Sequence, residues 1–197
     1  RYAIPFAKTA ERVLVADVSK EMMRFAKDYQ KKENIHKIYY LSFDWQYDDL
    51  KHYHLYKKFD VAFGAMSPPL RHIEGLNKMM EATNHYAVIM QYIKMSDTVI
   101  DYLKDALDLN NEYDPHNDED YANALVEYVK DLNYEVSTHD FVETDQERFT
   151  KQEAIARYKD RFKRITKEQG QSIESLIDAL SVNDEIIVKK ENILRAI

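Results

Sequence analysis

RVLVADVSKEMMRFAK, residues 12–27, is the stretch from which the fold is read. Arg12 to Ala16 is a short β-branched run of the kind a buried parallel strand needs, and Asp17 ends it. Ser19 stands where a helix cap is required. Behind it Met22, Phe25, Ala26 and Tyr29 recur at i, i+3, i+4 and i+7, which predicts one apolar helix face directed at a sheet.

The rest of the chain repeats that alternation. Residues 2–10 read as the tail of a helix, Lys37 to Leu41 as the next strand, and SFDWQYDDL as the loop after it. Phe59 to Phe63 reads as a strand that opens into a turn closed by Pro68 and Pro69, which cannot continue it. A helix is predicted through Leu70 to Ala82 and a strand through His85 to Ile93. Beyond them, YDPHNDEDYANALVEYVKDLN carries acidic residues and Pro115 near a helix start, with Tyr121, Leu125, Val129 and Leu132 along one face. Residues 134–144 alternate with period 2, as an antiparallel strand with one covered face does. Thr150 and Glu153 have capping-box spacing before a helix over 151–164, a second helix covers 171–180, and DEIIVKKENILRAI supplies a last strand or hairpin. This order predicts an open three-layer α/β sheet, mostly parallel, with antiparallel strands toward the carboxyl end.

Composition excludes several function classes. The 28 Lys and Arg against 35 Asp and Glu give a formal charge of −7, so the average field repels nucleic-acid phosphates and anionic membranes. A local basic patch is compatible with that average. The chain has no cysteine, hence no disulfide, thiolate metal site or thiol nucleophile, which fits a reducing compartment. No apolar run approaches a bilayer span, and the amino end lacks the build of a signal peptide, so the expected location is cytoplasmic. Glycine is scarce: only Gly64, Gly75 and Gly170. Parallel sheets that hold nucleotides place glycines in the first strand-to-helix turn, and this chain contains no such turn.

Ligands of open α/β sheets bind beyond the carboxyl ends of the strands, which singles out three segments. Asp17 can accept hydrogen bonds from both hydroxyls of a ribose; the plainer reading is a strand-end carboxylate that caps the helix at Ser19. Asp44 can take the exocyclic amine of adenine while Trp45 covers the ring, although both are ordinary loop residues. The backbone of FGAMSPP, loosened by Gly64 and turned by the prolines, sits at a strand end where a reactive group would lie, or is a simple strand-to-helix turn. His52 and His54 share spacing with metal ligands but lack a third partner, and DPHNDEDY lacks the glycine and spacing of a calcium loop.

RYAIPFAKTAERVLVADVSKEMMRFAK, FDW and KFDVAFGAMSPPL, taken in order over about residues 1–95, closely resemble the motifs of class I S-adenosylmethionine-dependent methyltransferases. The resemblance implies a Rossmann-like sheet that binds S-adenosylmethionine. It places Asp17 on the ribose, Val18 and Met22 beside the adenosine, Asp44 and Trp45 on the adenine, and Gly64, Ala65 and Met66 along the methionine portion. Ser67 and Arg71 are the positions to test for contact with a methyl acceptor, which is expected to be a small molecule. Catalysis would rest on proximity and orientation for an in-line displacement, with no dedicated acid or base required.

The resemblance further implies one methyltransferase-like domain over 1–197 with a helical insertion at about 146–182, resembling a lid or substrate-side element. Arg1 and Tyr2 resemble the residues that directly follow the family's GxGxG turn. The first strand and that turn are then expected before residue 1, on a longer polypeptide. Homo-oligomers are compatible with the sequence. Two other readings stay open: a non-catalytic interaction or scaffold domain that keeps the fold, and a nicotinamide-dependent dehydrogenase using Asp17.

Overall fold

A computed structural model describes residues 2–110 and 112–197; Arg1, one of the two residues expected to follow the glycine turn, lies outside them. The chain divides into two compact units, residues 1–63 with 67–87, and residues 64–66 with 88–197.

The first unit begins with α1 (Ala3–Thr9), β1 (Val13–Asp17), α2 (Lys20–Lys32) and β2 (Ile38–Ser42). β1 and β2 pair in parallel from Val13 opposite Ile38 to Asp17 opposite Ser42, forming a two-stranded sheet. Strand and helix fall within a residue or two of the sequence reading, and Ser19 caps α2 as expected, its hydroxyl accepting from Met22 N at 3.2 Å. The helix face differs. Met22, Phe25 and Tyr29 are 58%, 54% and 49% exposed, whereas Met23 is buried and Ala26 and Gln30 are half-buried on the inward side. A sheet of two strands covers only a narrow stripe of a helix, and the stripe led by Met23 occupies it.

After β2 a loop carries Phe43, Leu50 and Leu55 inward, where they pack with Ala82 and against Leu14, Leu41, Trp45, Tyr53 and Phe59. A second, smaller cluster joins Ile4 and Ala7 of α1 to Ile38. Phe63 takes ring contacts from Tyr2 and Phe6, each at 5.0 Å between centroids. The predicted helix at 70–82 is interrupted. A 3-10 turn over Pro68–Arg71 comes first, and α3 runs over Ile73–Ala82.

β3 (Phe59–Ala65) and β4 (Thr83–Asp97) cross from one unit into the other. Lys58 N donates to Ala82 O and Met66 N donates to Met90 O. The sequence offset is the same at both ends, as in a parallel pair. The four-stranded sheet has the order β3-β4-β6-β5, with β6 (Glu185–Ala196) antiparallel to both β4 and β5 (His139–Thr150). The architecture is thus mixed α/β and Rossmann-like, parallel first and antiparallel at the carboxyl end, with the strands shared between two sheets.

The second unit holds the larger core. α4 (Thr98–Ala106), α6 (Lys151–Glu168), α7 (Ile173–Leu180) and β6 contribute Val99, Leu103, Tyr158, Phe162, Ile177 and Val188, all buried. The capping box of Thr150 and Glu153 is present, and the helices over 151–180 bury Ala154, Tyr158, Phe162, Ile173 and Ile177 in this core. α4 was not evident from the sequence reading. Its signals are Asp97 as cap, accepting from Val99 N and Ile100 N, and Val99, Leu103 and Leu107 at intervals of four. α5 (Glu119–Asp131) starts after Asp118, beyond Pro115, and buries Ala122 and Leu125; Leu132 is left 41% exposed. β5 starts later than expected and is exposed on both faces over most of its length. Arg195 of β6 ties it to its neighbours, donating to both carboxylate oxygens of Asp140 at 2.7 and 2.8 Å and to Glu119 and Asn123. None of the described helices is long and apolar enough to cross a membrane.

Candidate functional site

Asp17 and Asp44 are brought together by β-sheet register. Asp17 is the last residue of β1, opposite Ser42 at the end of β2, and its carbonyl accepts from Phe43 N at 3.2 Å. Asp44 follows one residue later. Both carboxylates therefore leave the same end of two adjacent parallel strands, the end at which open α/β sheets receive ligands.

Asp17 Oδ1 accepts from Ser19 N at 2.7 Å, so the carboxylate does cap the turn into α2. Oδ2 has no partner among the described residues. The capping and binding readings are thus compatible: one oxygen orients the side chain, and the other faces no competing donor. Val18 and Met22, both 58% exposed, flank it with apolar surface.

The Asp44 loop is built by main-chain bonds. Asp44 Oδ1 accepts from Gln46 N at 2.9 Å and Tyr47 N at 3.2 Å, while Asp44 N donates to Asp48 Oδ2 at 2.8 Å. Such self-bonding by Asp is a common way to fix a tight turn. Trp45 has protein partners of its own. Its indole packs edge-on against Phe43 at 5.7 Å, and Nε1 donates to Gly75 O at 3.0 Å. The ring anchors the loop to α3, and only its remaining surface is available to a ligand.

Lys78 was missed by sequence reading. From α3 its ammonium donates to Trp45 O at 2.8 Å, Gln46 O at 3.4 Å and Asp48 O at 2.7 Å. Three carbonyls of one turn are thereby pointed at one cation. Its partners lie about thirty positions away in sequence, beyond the reach of any local pattern.

Ser67 and Arg71 bracket the 3-10 turn. Gly75 explains how that turn meets α3: a Cβ at this position would stand 2.8 Å from Pro69 C and closer still to its carbonyl oxygen. Only glycine permits the approach. Trp45, Gly75 and the Pro68–Pro69 backbone therefore form one connected support, with Ser67 and Arg71 at its two ends. The Ser67 side chain makes no capping bond.

Gly64, Ala65 and Met66 belong to the second unit. Gly64 does not have the left-handed backbone that would call for glycine; Met66 does, at φ 48°. The left-handed residue of this segment is thus Met66, ahead of the two prolines, and its amide donates to Met90 O at 2.8 Å. Among the described residues no group of three or more His, Cys, Asp or Glu side chains is placed to hold a metal ion.

No protein-family model matches the chain, and no curated protein matches it in sequence. Solved structures do match in fold. The YcgJ protein of Bacillus subtilis superposes with a TM-score of 0.54 at 12% identity, covering 98% of this chain and 86% of that one. A candidate type II methyltransferase from Anaeromyxobacter dehalogenans gives 0.55 at 12% identity, over 98% and 83%. A candidate methyltransferase from Bacillus halodurans C-125 gives 0.53 at 12% identity, over 97% and 84%. The chain has the fold of class I S-adenosylmethionine-dependent methyltransferases.

Proposed function

We propose that the chain binds S-adenosylmethionine at the carboxyl ends of β1 and β2 and serves methyl transfer to a small-molecule acceptor. The observation that carries this reading is the position of Asp17 and Asp44 at adjacent parallel strand ends, with Asp17 Oδ2 left without a partner among the described residues. Asp17 would accept from the ribose hydroxyls, Val18 and Met22 would cover the apolar side of the nucleoside, and the turn at 44–48, fixed by Lys78, would take the adenine edge. By sequence resemblance alone, Gly64, Ala65 and Met66 correspond to the methionine portion, while Ser67 and Arg71 remain the positions to test for the acceptor. When bound, the cofactor supplies an electrophilic methyl on a sulfonium. The protein's share is to hold donor and acceptor in line and to keep water away.

Thermal shift with S-adenosylhomocysteine, with NAD as the competing ligand, tests this reading. The product analogue should raise the melting temperature and NAD should not. Asp17→Asn keeps the bond to Ser19 N but loses the charge on the ribose side, and should weaken binding about tenfold, or ~1.4 kcal/mol. A shift with NAD alone would point to a dehydrogenase. The likeness to methyltransferase structures is one of fold at 12% identity, which leaves a second reading, a binding module that keeps the fold without the chemistry. No shift with either nucleotide would decide for it.

A further inference from the structure

α2 and the loop after it form one of the cation-rich stretches of this acidic chain. Between residues 20 and 37, Lys20, Arg24, Lys27, Lys31, Lys32 and Lys37 stand against only Glu21, Asp28 and Glu33. The overall formal charge is −7, so this is a local reversal of sign. Within the first unit an open cleft of about 470 Å3 lies on that stretch. Lys27, Gln30, Lys31, Asn34, His36 and Tyr40 line it, with two isoleucines and no carboxylate.

Three features make this more than a charged surface. The side chains of Lys27, Lys31 and His36 have no ion-pair or hydrogen-bond partner among the described residues, so the repulsion between the two lysines, one helical turn apart, is relieved only by solvent or by an anion. The floor is fixed: Gln30 Nε2 donates to Ile35 O at 2.8 Å and reaches Ile38 O at 3.5 Å, holding the loop against β2. Lys27 Nζ stands 5.3 Å from the centre of the Tyr40 ring, which sets a flat apolar surface beside the cations. Lysine ammoniums bind phosphate oxygens as point charges, and an aromatic face suits an organic body.

The plainer account is edge protection. β2 pairs only with β1, and lysines beside a free strand edge discourage pairing with another chain. Edge protection requires charge, but it does not require a cavity that combines an amide, an aromatic ring and unpaired cations. It also gives no saturable anion binding.

We propose that the pocket between α2 and β2 binds a small phosphomonoester, its phosphate held by Lys27, Lys31 and His36 and its organic body laid against Tyr40. The pocket reaches the amino end of β2, whereas the proposed cofactor residues follow its carboxyl end. The two sites are therefore separate and fail independently.

The test follows backbone amide shifts of the 15N-labelled chain during titration with phenyl phosphate and, separately, inorganic phosphate. Phenyl phosphate should give saturable shifts confined to about residues 27–40 and bind at least about tenfold tighter than inorganic phosphate. The double substitution Lys27→Gln and Lys31→Gln should lose at least about tenfold in affinity, while Lys32→Gln, outside the lining, should be unaffected. All three lysines are exposed, so folding should be preserved, which the amide spectrum itself reports. Unsaturated shifts at about 10 mM ligand, equal affinity for the two phosphates, or an equal loss in Lys32→Gln would overturn the proposal. A stretch-wide response to single-stranded oligonucleotide that depends equally on Lys32 would overturn it in favour of nucleic acid.

Discussion

Substituting Gly75 by alanine sets two effects of opposite sign against each other at one atom. In an exposed helix interior, Gly→Ala is stabilising by ~1 kcal/mol, because alanine loses less backbone freedom on folding. In α3 the added methyl must occupy space already filled by the Pro69 carbonyl, with Pro69 C at 2.8 Å. Neither group is the flexible end of a side chain. Relief requires the helix or the 68–71 turn to move, an overpacking cost of ~1–3 kcal/mol. The movement also strains the Trp45 Nε1 bond to Gly75 O, worth ~1 kcal/mol. The clash wins: the net effect should be a loss of ~1–3 kcal/mol, or about 3–10 °C in melting temperature. Trp45 is the chain's single tryptophan and reports on the first unit alone, so its fluorescence during urea or thermal unfolding isolates the effect. Unfolding followed at Trp45 that is unchanged or shifted upward would refute the close approach of α3 to the turn, and with it the placement of Ser67 and Arg71.

Lys78→Met removes three carbonyl anchors at once; it should cost ~1–2 kcal/mol and speed amide exchange over 44–48 more than elsewhere in the first unit. Tyr158→Phe removes a buried hydroxyl that donates to the Asp97 carboxylate at 3.0 Å; it should destabilise the second unit by ~1–3 kcal/mol in chemical unfolding, although Asp97 keeps its amide donors Val99 and Ile100. For Asp114, burial pushes the carboxyl up, but the Lys104 hydrogen bond and charge and the His116 amide outweigh it and hold the group at about 2, below the ordinary 3.8. A depressed carboxyl stabilises the fold above its unfolded value and loses that contribution as pH falls through the folded value. The pair should thus give ~1 kcal/mol, after allowance for solvent screening, that disappears between about pH 4 and 2; a stability profile of Lys104→Met should lack that decline.

The parts of the fold that were legible in the sequence are those fixed by short-range chemistry. Ser19 caps α2 because its hydroxyl reaches Met22 N within one turn, and the Thr150–Glu153 box starts α6 for the same reason. Asp17 and Asp44 were legible because a strand's end is marked by its own residues, and parallel register then aligns the two ends. The rotation of α2 was not. Met22, Phe25 and Tyr29 form the more apolar stripe, and by composition that stripe should face the sheet. Which stripe is covered depends on the direction in which Val18 and Ser19 carry the chain out of β1 and on the width of the sheet beneath, neither of which is written in the helix.

The roles of Trp45 and Lys78 were hidden for a related reason, and together they bear on the 44–48 turn that is proposed to take the adenine. A tryptophan beside an acidic residue suggests a ring offered to a base. With its indole N–H committed to Gly75 O and one edge against Phe43, the ring instead fastens the 44–48 turn to α3. Lys78 fastens the same turn from the same helix through three carbonyls. A loop held at four points by one rigid helix loses little freedom when a ligand arrives, so less binding energy is spent on ordering it. Selectivity for the base would then come from a backbone edge fixed in advance rather than from a mobile aromatic lid. On this argument Lys78→Met should weaken binding of S-adenosylhomocysteine about as much as Asp17→Asn does, about tenfold, without Lys78 ever touching the ligand. Binding unchanged in Lys78→Met, with exchange over 44–48 increased, would show that the ligand does not depend on that turn.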